Sequence, residues 1–346
     1  MGLSLTKTLE CLRNHSSATL QMVTRDGTVF VCPELQGRIF CTLGDELIHR
    51  LDVDRVVEPE PDTFNNLGGN SLWPAPEGGP FAFNYPPDSD EWYVPSLVAD
   101  AAASVIDADS GQALIEKRGT LTNKDNVTGY LSMERKVTIP HDHAVPAGYT
   151  LKGIRYFCED TITPLAEVSA ENFLIAPWSL EQFPGGEGVI AFGAMATPQD
   201  AVNEDYYGIP GDRIQHHPGG FTFALGGADR HQIGLRVASG PRLVGSLDPK
   251  RKLLIIRKTL EQGGRYFNIA DNAQPEGPWT ARDLYSVFNG GDLGFYELET
   301  IGALQTHHGL VAPSRLHSET LILKGDLAEL KRYLRERENI SFMEAF

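Results

Sequence analysis

The stretch "DGTVFVCPELQGRIFCTLGDELIHRLD" (26–52) contains two runs that are typical of β-strands, TVFVCP (28–33) and RIFCTL (38–43). Both runs are rich in apolar and β-branched side chains with a period of two, and Gly, Pro and Asp bound them. The four residues between the runs are too few for a helical crossover, which parallel strands would need. The stretch therefore predicts a pair of antiparallel strands.

The same pattern recurs along the whole chain. Further predicted strands span 19–24, 130–139, 151–158, 165–168, 189–195, 221–225, 232–238, 252–260, 294–301 and 317–323. Helical patterns are confined to the two ends, and the stronger one has Asp326 as N-cap and Glu329 at the capping-box position. We predict an all-β chain: one domain over 1–346, a large antiparallel β-sandwich with a short C-terminal helix at 325–338.

Composition excludes several classes of protein. The 346 residues carry a formal net charge of −16, which disfavours a nucleic-acid partner because that binding depends on clustered Lys and Arg. The chain contains no run of 18 apolar residues that would predict a membrane span, and its N-terminus lacks an export-signal pattern. We therefore expect a cytoplasmic protein with no membrane partner. The four cysteines show no metal or disulfide spacing, and no nucleotide-binding motif occurs. We therefore predict no cofactor and no metal; the oligomeric state is left open.

A segment rich in proline and glycine, "NNLGGNSLWPAPEGGPFAFNYPP" (65–87), predicts a shaped loop that is neither helix nor strand. Long loops inside compact domains are often binding loops. Trp73 offers a face for stacking on a sugar ring, and Glu77 and Asn70 offer hydrogen-bonding groups for hydroxyls. The alternative is that Trp73 only closes one end of the sandwich.

Two carboxylates suggest acid–base chemistry. Glu297 and Glu299 stand at i and i+2 in the predicted strand 294–301, which places both on one face, about 6–7 Å apart along the chain. Partly buried like charges at that spacing raise a carboxyl pKa towards the range in which a general base works. The alternative is the solvated face of an edge strand.

Three segments carry a family resemblance: 26–52, 65–87 and "GFYELETIGALQTHHGLVAPSRLHSETLIL" (294–323). They resemble the galactose mutarotase-like (aldose 1-epimerase-like) superfamily, in particular a bacterial branch of it. The resemblance implies a large twisted sandwich. It also implies that a "Leu-Glu-Thr" strand carries the catalytic base, which matches Glu299, while Glu297 lies in the branch's own pattern, so either carboxylate could be the base.

The chain departs from the family at the general acid. Aldose 1-epimerases carry an Asn-His-x-Tyr-Phe-Asn stretch whose His is the acid, but the nearest counterpart, "ENFLIAPWSLEQF" (171–183), has no histidine. By the resemblance, Trp178 and Gln182 lie where the epimerases keep sugar-binding groups. His217 in "QHHPGG" (215–220) is a candidate for a displaced acid or a sugar contact. The "HDH" at 141–143 has a spacing compatible with metal, but no third ligand is indicated.

We expect a small-molecule carbohydrate as the ligand, and three functions remain open. The first is an aldose 1-epimerase-like isomerase that interconverts sugar anomers by general acid–base catalysis. The second is a carbohydrate-binding or sensing protein that keeps the cleft without the chemistry. The third is a lyase or glycoside-active enzyme on the same fold.

Overall fold

The computed structural model describes residues 4–204, 208–260, 265 and 283–346. These residues contain four α-helices: α1 (Leu5–His15), α2 (Val53–Val57), α3 (Ser96–Ala99) and α4 (Leu327–Arg337). Short 3₁₀ helices span Gly211–Arg213, Val237–Ser239, Gly291–Leu293 and Phe342–Ala345. None of the helices in the described ranges has both the length and the apolar character to cross a membrane.

The strands form two ten-stranded antiparallel sheets and one small hairpin. The first sheet, in spatial order, consists of β1 (Leu20–Val23), β2 (Gly27–Cys32), β3 (Arg38–Leu43), β5 (Asn70–Ala75), β10 (Ala176–Pro184), β19 (Phe295–Ile301), β18 (Asp283–Asn289), β15 (His231–Arg236) and β12 (Val202–Asn203), with β4 (Glu46–Leu47) beside β3. The second consists of β13 (Ile214–His217), β14 (Gly220–Ala224), β11 (Ile190–Met195), β16 (Pro241–Asp248), β17 (Leu253–Thr259), β22 (Ser314–Lys324), β9 (Lys152–Pro164), β8 (Thr128–Thr138), β7 (Gln112–Thr122) and β6 (Ser104–Ala108). The hairpin pairs β20 (Thr306–His307) with β21 (Leu310–Val311).

The predicted large antiparallel β-sandwich is confirmed, because β10 of the first sheet packs on β9 and β22 of the second. The C-terminal helix is also confirmed, and it covers the outer face of the second sheet with Leu330, Tyr333 and Leu334. The predicted capping box does not form. Asp326 pairs with Lys252 (Nζ–Oδ1 2.8 Å) instead of capping α4.

Two further local predictions are wrong. The run 165–168 is not a strand, because β9 ends at Pro164. The segment 65–87 is not wholly irregular, because Asn70–Ala75 forms β5 and pairs with β10 along its length. β3 pairs with the other edge of β5 only at Asn70. A proline at position 74 is therefore tolerated, since the edge beyond Asn70 has no strand partner among the described residues.

A buried carboxylate links the two sheets. Glu181 projects from β10 towards the second sheet and has no exposed surface. Four side chains contact its oxygens: His49 Nε2 (2.7 Å), Arg257 Nε (2.7 Å), Thr320 Oγ1 (2.8 Å) and the Tyr156 hydroxyl. Burial alone would raise the pKa of Glu181, but the charge of Arg257 and the His49 hydrogen bond outweigh it and lower the pKa to about 2.

Two buried arginines continue this network across the sandwich. Arg257 donates from Nη1 to the carbonyl oxygens of Leu298 (2.6 Å) and Ser179 (3.1 Å). Arg135 pairs with Asp160 (Nε–Oδ1 2.7 Å) and donates from Nη2 to Asn70 Oδ1 (2.6 Å). Side chains of the second sheet thus hold the backbone or side chains of β5, β10 and β19 from behind.

We predict that Arg257→Leu lowers the free energy of unfolding by about 3–5 kcal/mol, because the change leaves the Glu181 carboxylate buried without its cationic partner. Urea denaturation at pH 7 measures the loss. As a control, Asp142→Asn breaks an ion pair with Arg155 in which the carboxylate is 73% exposed, and it should leave the urea midpoint unchanged. If the two substitutions lowered the urea midpoint equally, the buried network around Glu181 would stabilise the fold no more than an exposed ion pair does, and the prediction would be wrong.

Candidate functional site

Glu297 and Glu299 lie on an internal strand of the first sheet. β19 pairs with β10 on one side and β18 on the other. The side chain of Leu298 points between the sheets, so the two carboxyl groups project from the opposite face. Glu297 is only 7% exposed and Glu299 is fully buried. The alternative of a solvated face on an edge strand is therefore wrong.

The two carboxyl groups share a hydrogen bond. Burial raises the pKa of Glu297 to about 7, although hydrogen bonds from Gln182 and Glu299 oppose the rise. Burial also raises the pKa of Glu299 well above its usual range, and the charge of Glu297 raises it further. Because the two groups are pushed upward together, the pair retains a proton near neutral pH.

Three neutral donors hold the pair in place. Trp178 Nε1 donates to Glu299 Oε2 (2.8 Å), and Gln182 Nε2 donates to Glu297 Oε1 (2.6 Å). Gln182 stands directly opposite Glu297 in the β10–β19 register, which explains this contact. Gln232 Nε2, on β15, lies 3.3 and 3.4 Å from the two oxygens of Glu299. The carboxyl oxygens are thereby fixed in direction, with donors that carry no charge.

An aromatic wall adjoins the pair. Trp73 stands opposite Trp178 in the β5–β10 register, and the two ring centroids are 5.9 Å apart at an angle of 69°. Phe64 packs edge-on against the other side of Trp73 at 5.6 Å. Trp73 Nε1 donates to Ser71 Oγ (3.1 Å), which fixes the indole. The loop segment and the carboxylate strand, more than two hundred residues apart in sequence, therefore meet at one place.

Two arginines approach the pair from the side of Glu297. Arg50 donates from Nη1 to Gln182 Oε1 (3.2 Å), and its guanidinium lies 4.8 Å from the ring centroid of Phe295. Arg38 is almost fully buried and donates from Nη1 to the carbonyl oxygen of Gly68 (2.8 Å). Both positive charges lower the pKa of Glu297 against the stronger effect of burial. They therefore stabilise the ionised form of Glu297.

The structure places the other predicted residues differently. Asn70 faces the second sheet and is fully buried, with Oδ1 bound to Arg135 and to Ser179 Oγ (3.1 Å), so it supports the sheet behind the aromatic wall. Glu77 follows β5 and accepts a hydrogen bond from Trp92 Nε1 (2.8 Å). Its negative charge also contributes to the raised pKa of Glu299.

His217 lies in β13, the edge strand of the second sheet. Its Nε2 is 3.0 Å from Thr222 Oγ1, and its ring stacks on Phe342 at a centroid distance of 5.1 Å. Burial, and then the charge of His216, lower the pKa of His217. These contacts attach His217 to the C-terminal residues and do not bring it to the carboxyl pair.

Sequence reasoning missed Gln232, Arg38 and Arg50. Arg38 stands at the start of a correctly predicted strand, so alternation alone could have placed it on the same face as Phe40. Gln232 also begins a predicted strand, but only the pairing of β15 with β18 brings it to Glu299. No local pattern encodes that pairing.

A separate cavity of about 750 Å³ is lined by parts of 23–26 and 139–155. His141 and His143 of the "HDH" segment line it and are exposed. None of the predicted catalytic or sugar-binding residues lines this cavity. In the described ranges no group of three or more His, Cys, Asp or Glu side chains converges to hold a metal ion. We centre the candidate site on the carboxyl pair because perturbed pKa values mark functional sites.

Comparison with protein families matches residues 4–341 to the model described as "Family of unknown function (DUF6786)". The chain belongs to this family. Comparison with curated proteins gives no match.

Solved structures share the fold of this DUF6786 chain. A galactose mutarotase-like protein from Lactobacillus casei ATCC 334 superposes with a TM-score of 0.54 at 8% identity, over 88% of this chain and 100% of that one. A putative aldose 1-epimerase from Escherichia coli K12 gives a TM-score of 0.51 at 10% identity, over 88% of this chain and 98% of that one. The galactose mutarotase-like fold implied by the resemblance is therefore confirmed.

We predict that Glu299→Gln stabilises the protein at pH 8 and not at pH 4. The folded pKa of Glu299 lies above the unfolded value, so its contribution to stability is present at low pH and is lost as the pH rises through the folded pKa. Gln mimics the protonated acid and removes that loss. Urea midpoints of both proteins across this range measure the difference.

Glu46 provides a control of opposite sign. Burial would raise the pKa of Glu46, but Lys324 and Arg251 outweigh it and the pKa is lowered. Glu46→Gln should therefore destabilise the protein at pH 8 and have little effect at pH 4. If the difference between Glu299→Gln and the unmodified protein did not vary with pH, the raised pKa of Glu299 would be refuted.

Proposed function

We propose that this protein is an aldose 1-epimerase-like isomerase that interconverts the anomers of a sugar or sugar acid. The observation that carries the proposal is the hydrogen-bonded, buried pair Glu297–Glu299, beside the indoles of Trp73 and Trp178. The shared fold is consistent with this function but does not decide it, because one fold serves many functions.

Anomer exchange requires two proton transfers, one at each of the two oxygens bonded to the anomeric carbon. A base removes the proton of the anomeric hydroxyl while an acid protonates the ring oxygen, so the ring opens and then closes on the other face. Both oxygens are bonded to the anomeric carbon, so the base and the acid have to lie side by side. Two carboxyl groups that share one proton meet this requirement.

The environments of the two groups support a division of roles. Arg38 and Arg50 favour the ionised form of Glu297, which is also the more exposed carboxylate, so we assign it as the base. Glu299 keeps its proton under burial and the charge of Glu297, so we assign it as the acid. A pair of groups whose environments separate their pKa values is typical of acid–base catalysis. The protonated carboxyl of Glu299 then takes the role of the general-acid histidine of the aldose 1-epimerases, which segment 171–183 lacks.

The pyranose ring requires an apolar surface and fixed hydrogen-bonding groups. The Trp73 and Trp178 indoles are the apolar side chains beside the pair, with 6% and 2% of their surfaces exposed, and Gln182 offers an amide there. A glycoside-cleaving function is less well supported, since the two carboxyl groups of such enzymes stand about 5 Å or more apart with the anomeric carbon between them. A protein that only binds carbohydrate would use the same aromatic wall, and the missing histidine is the observation in its favour.

We predict that the protein accelerates anomer exchange of at least one free aldose, and that Glu297→Gln and Glu299→Gln each slow it by about 10²–10⁴-fold. Polarimetry or saturation-transfer NMR on a panel of aldoses measures the rate. The rate should be maximal between the two apparent pKa values of the pair, since exchange needs one bound proton. Glu46→Gln serves as the control and should keep full activity.

Two outcomes would exclude this assignment. Exchange that neither substitution slows by about tenfold would remove the pair from catalysis. Sugar binding without exchange in the unmodified protein would favour the carbohydrate-binding alternative.

We further predict that Trp178→Phe moves the alkaline limb of the rate profile to higher pH. The Trp178 hydrogen bond lowers the pKa of Glu299, so its loss makes the shared proton harder to remove. Trp73→Phe is the matched control, because the Trp73 indole donates to Ser71 and not to a carboxylate. The pH–rate profile of Trp73→Phe should keep its acid and alkaline limbs at the pH values of the unmodified protein. If both variants shifted the alkaline limb by a similar amount, the shift would come from disturbed packing and the prediction would be wrong.

A further inference from the structure

Trp92 is an exposed indole with a fixed orientation. It is 46% exposed, yet its Nε1 donates to Glu77 Oε1 at 2.8 Å. Single exposed aromatic residues are common on protein surfaces and need no explanation. An indole that is bonded at its polar edge and still 46% exposed is different, since such a ring has lost its rotational freedom before any ligand arrives.

The segment that carries Trp92 is anchored on both sides. Asn84 and Tyr93 are joined by two hydrogen bonds of 3.0 Å, from the Asn84 amide and from the Tyr93 backbone. Lys124 pairs with Asp90 (2.6 Å) and lies over the ring of Tyr85 at 5.2 Å. The backbone on either side of Trp92 is therefore held against the second sheet and the β7–β8 connection.

Glu77 connects this platform to the proposed site. It stands two residues after the end of β5, the strand that carries Trp73. Its charge also acts on Glu299. Trp92 is thus linked through Glu77 to the end of the strand whose Trp73 packs on Trp178 beside the carboxyl pair. A ligand whose reducing sugar occupied the pair would extend past Glu77 towards the indole.

We propose that Trp92 is the stacking platform for a second sugar ring, so that the preferred substrate is a reducing disaccharide or longer oligosaccharide. This inference rests on the proposed function. The apolar face of a pyranose packs on an indole, and the Glu77 carboxylate accepts hydrogen bonds from hydroxyl groups between the two rings. The second ring binds without taking part in the proton transfers.

Anomer exchange of glucose, maltose, cellobiose and lactose tests the inference. We expect at least one disaccharide to have a lower KM than glucose. Trp92→Ala should raise the KM for that disaccharide about three- to tenfold, leave its kcat unchanged and leave the KM for glucose unchanged. Trp92→Phe should restore part of the affinity, because a smaller ring remains. Tyr130→Ala is the control, since Tyr130 is also 46% exposed but lies on β8.

The failure of this inference can be told apart from failure of the proposed function. If the protein exchanges monosaccharides and Trp92→Ala changes no disaccharide KM, the platform is refuted and the isomerase function stands. If no sugar is exchanged and none binds, both proposals fall. If Trp92→Ala raised the KM for glucose and for the disaccharide equally, the platform would also be refuted, because such a result would indicate damage to the site that both sugars share.

Discussion

The buried carboxylate of Glu181 is the interaction on which the sandwich depends. It is the meeting point of side chains from both sheets, and three hydrogen-bond donors together with the Arg257 guanidinium take the place of water around the ionised carboxylate. Backbone N–H of Cys41 donates to His49 Nδ1 (2.9 Å), so His49 carries its proton on Nε2 and presents it to Glu181. Removing any one donor would leave the charge partly uncompensated, whereas apolar side chains at these positions could slide past one another. The contact therefore fixes how the sheets face each other.

Arg257 connects the buried network around Glu181 to the candidate site. The guanidinium that neutralises Glu181 also binds the carbonyl oxygens of Ser179 and Leu298. Leu298 lies between the two carboxylate residues, and Ser179 follows Trp178. The positions of Glu297 and Glu299 relative to the Trp178 indole are thus set from the far side of the sheet. Successive residues of a strand face opposite ways, so β10 directs Glu181 into the network between the sheets and Gln182 to the candidate site on the other face.

The sequence predicted an antiparallel β-sandwich because strand periodicity is a local property. It did not predict β5, since the proline at 74 disguises a strand whose edge beyond Asn70 has no strand partner among the described residues. It singled out Glu297 and Glu299 because i and i+2 spacing on one strand is also local. Asn70 was placed on the wrong side, as a strand in the segment would have assigned it to the face opposite Trp73. Gln232 and Glu181 depend on strand order and register, which are set by packing across the whole chain.

Glu181 and Glu299 are equally buried, yet their pKa values move in opposite directions. Glu181 receives a guanidinium and an imidazole N–H, whereas Glu299 receives only neutral donors and faces a second carboxyl group. Burial depth alone therefore does not determine protonation in this protein; burial and the neighbouring charges determine it together. An imidazole beside Glu299 would act as His49 does on Glu181 and hold the carboxylate ionised. On the proposed assignment, a carboxyl neighbour keeps the proton within the pair, where it can be passed to a ring oxygen and regained from a hydroxyl.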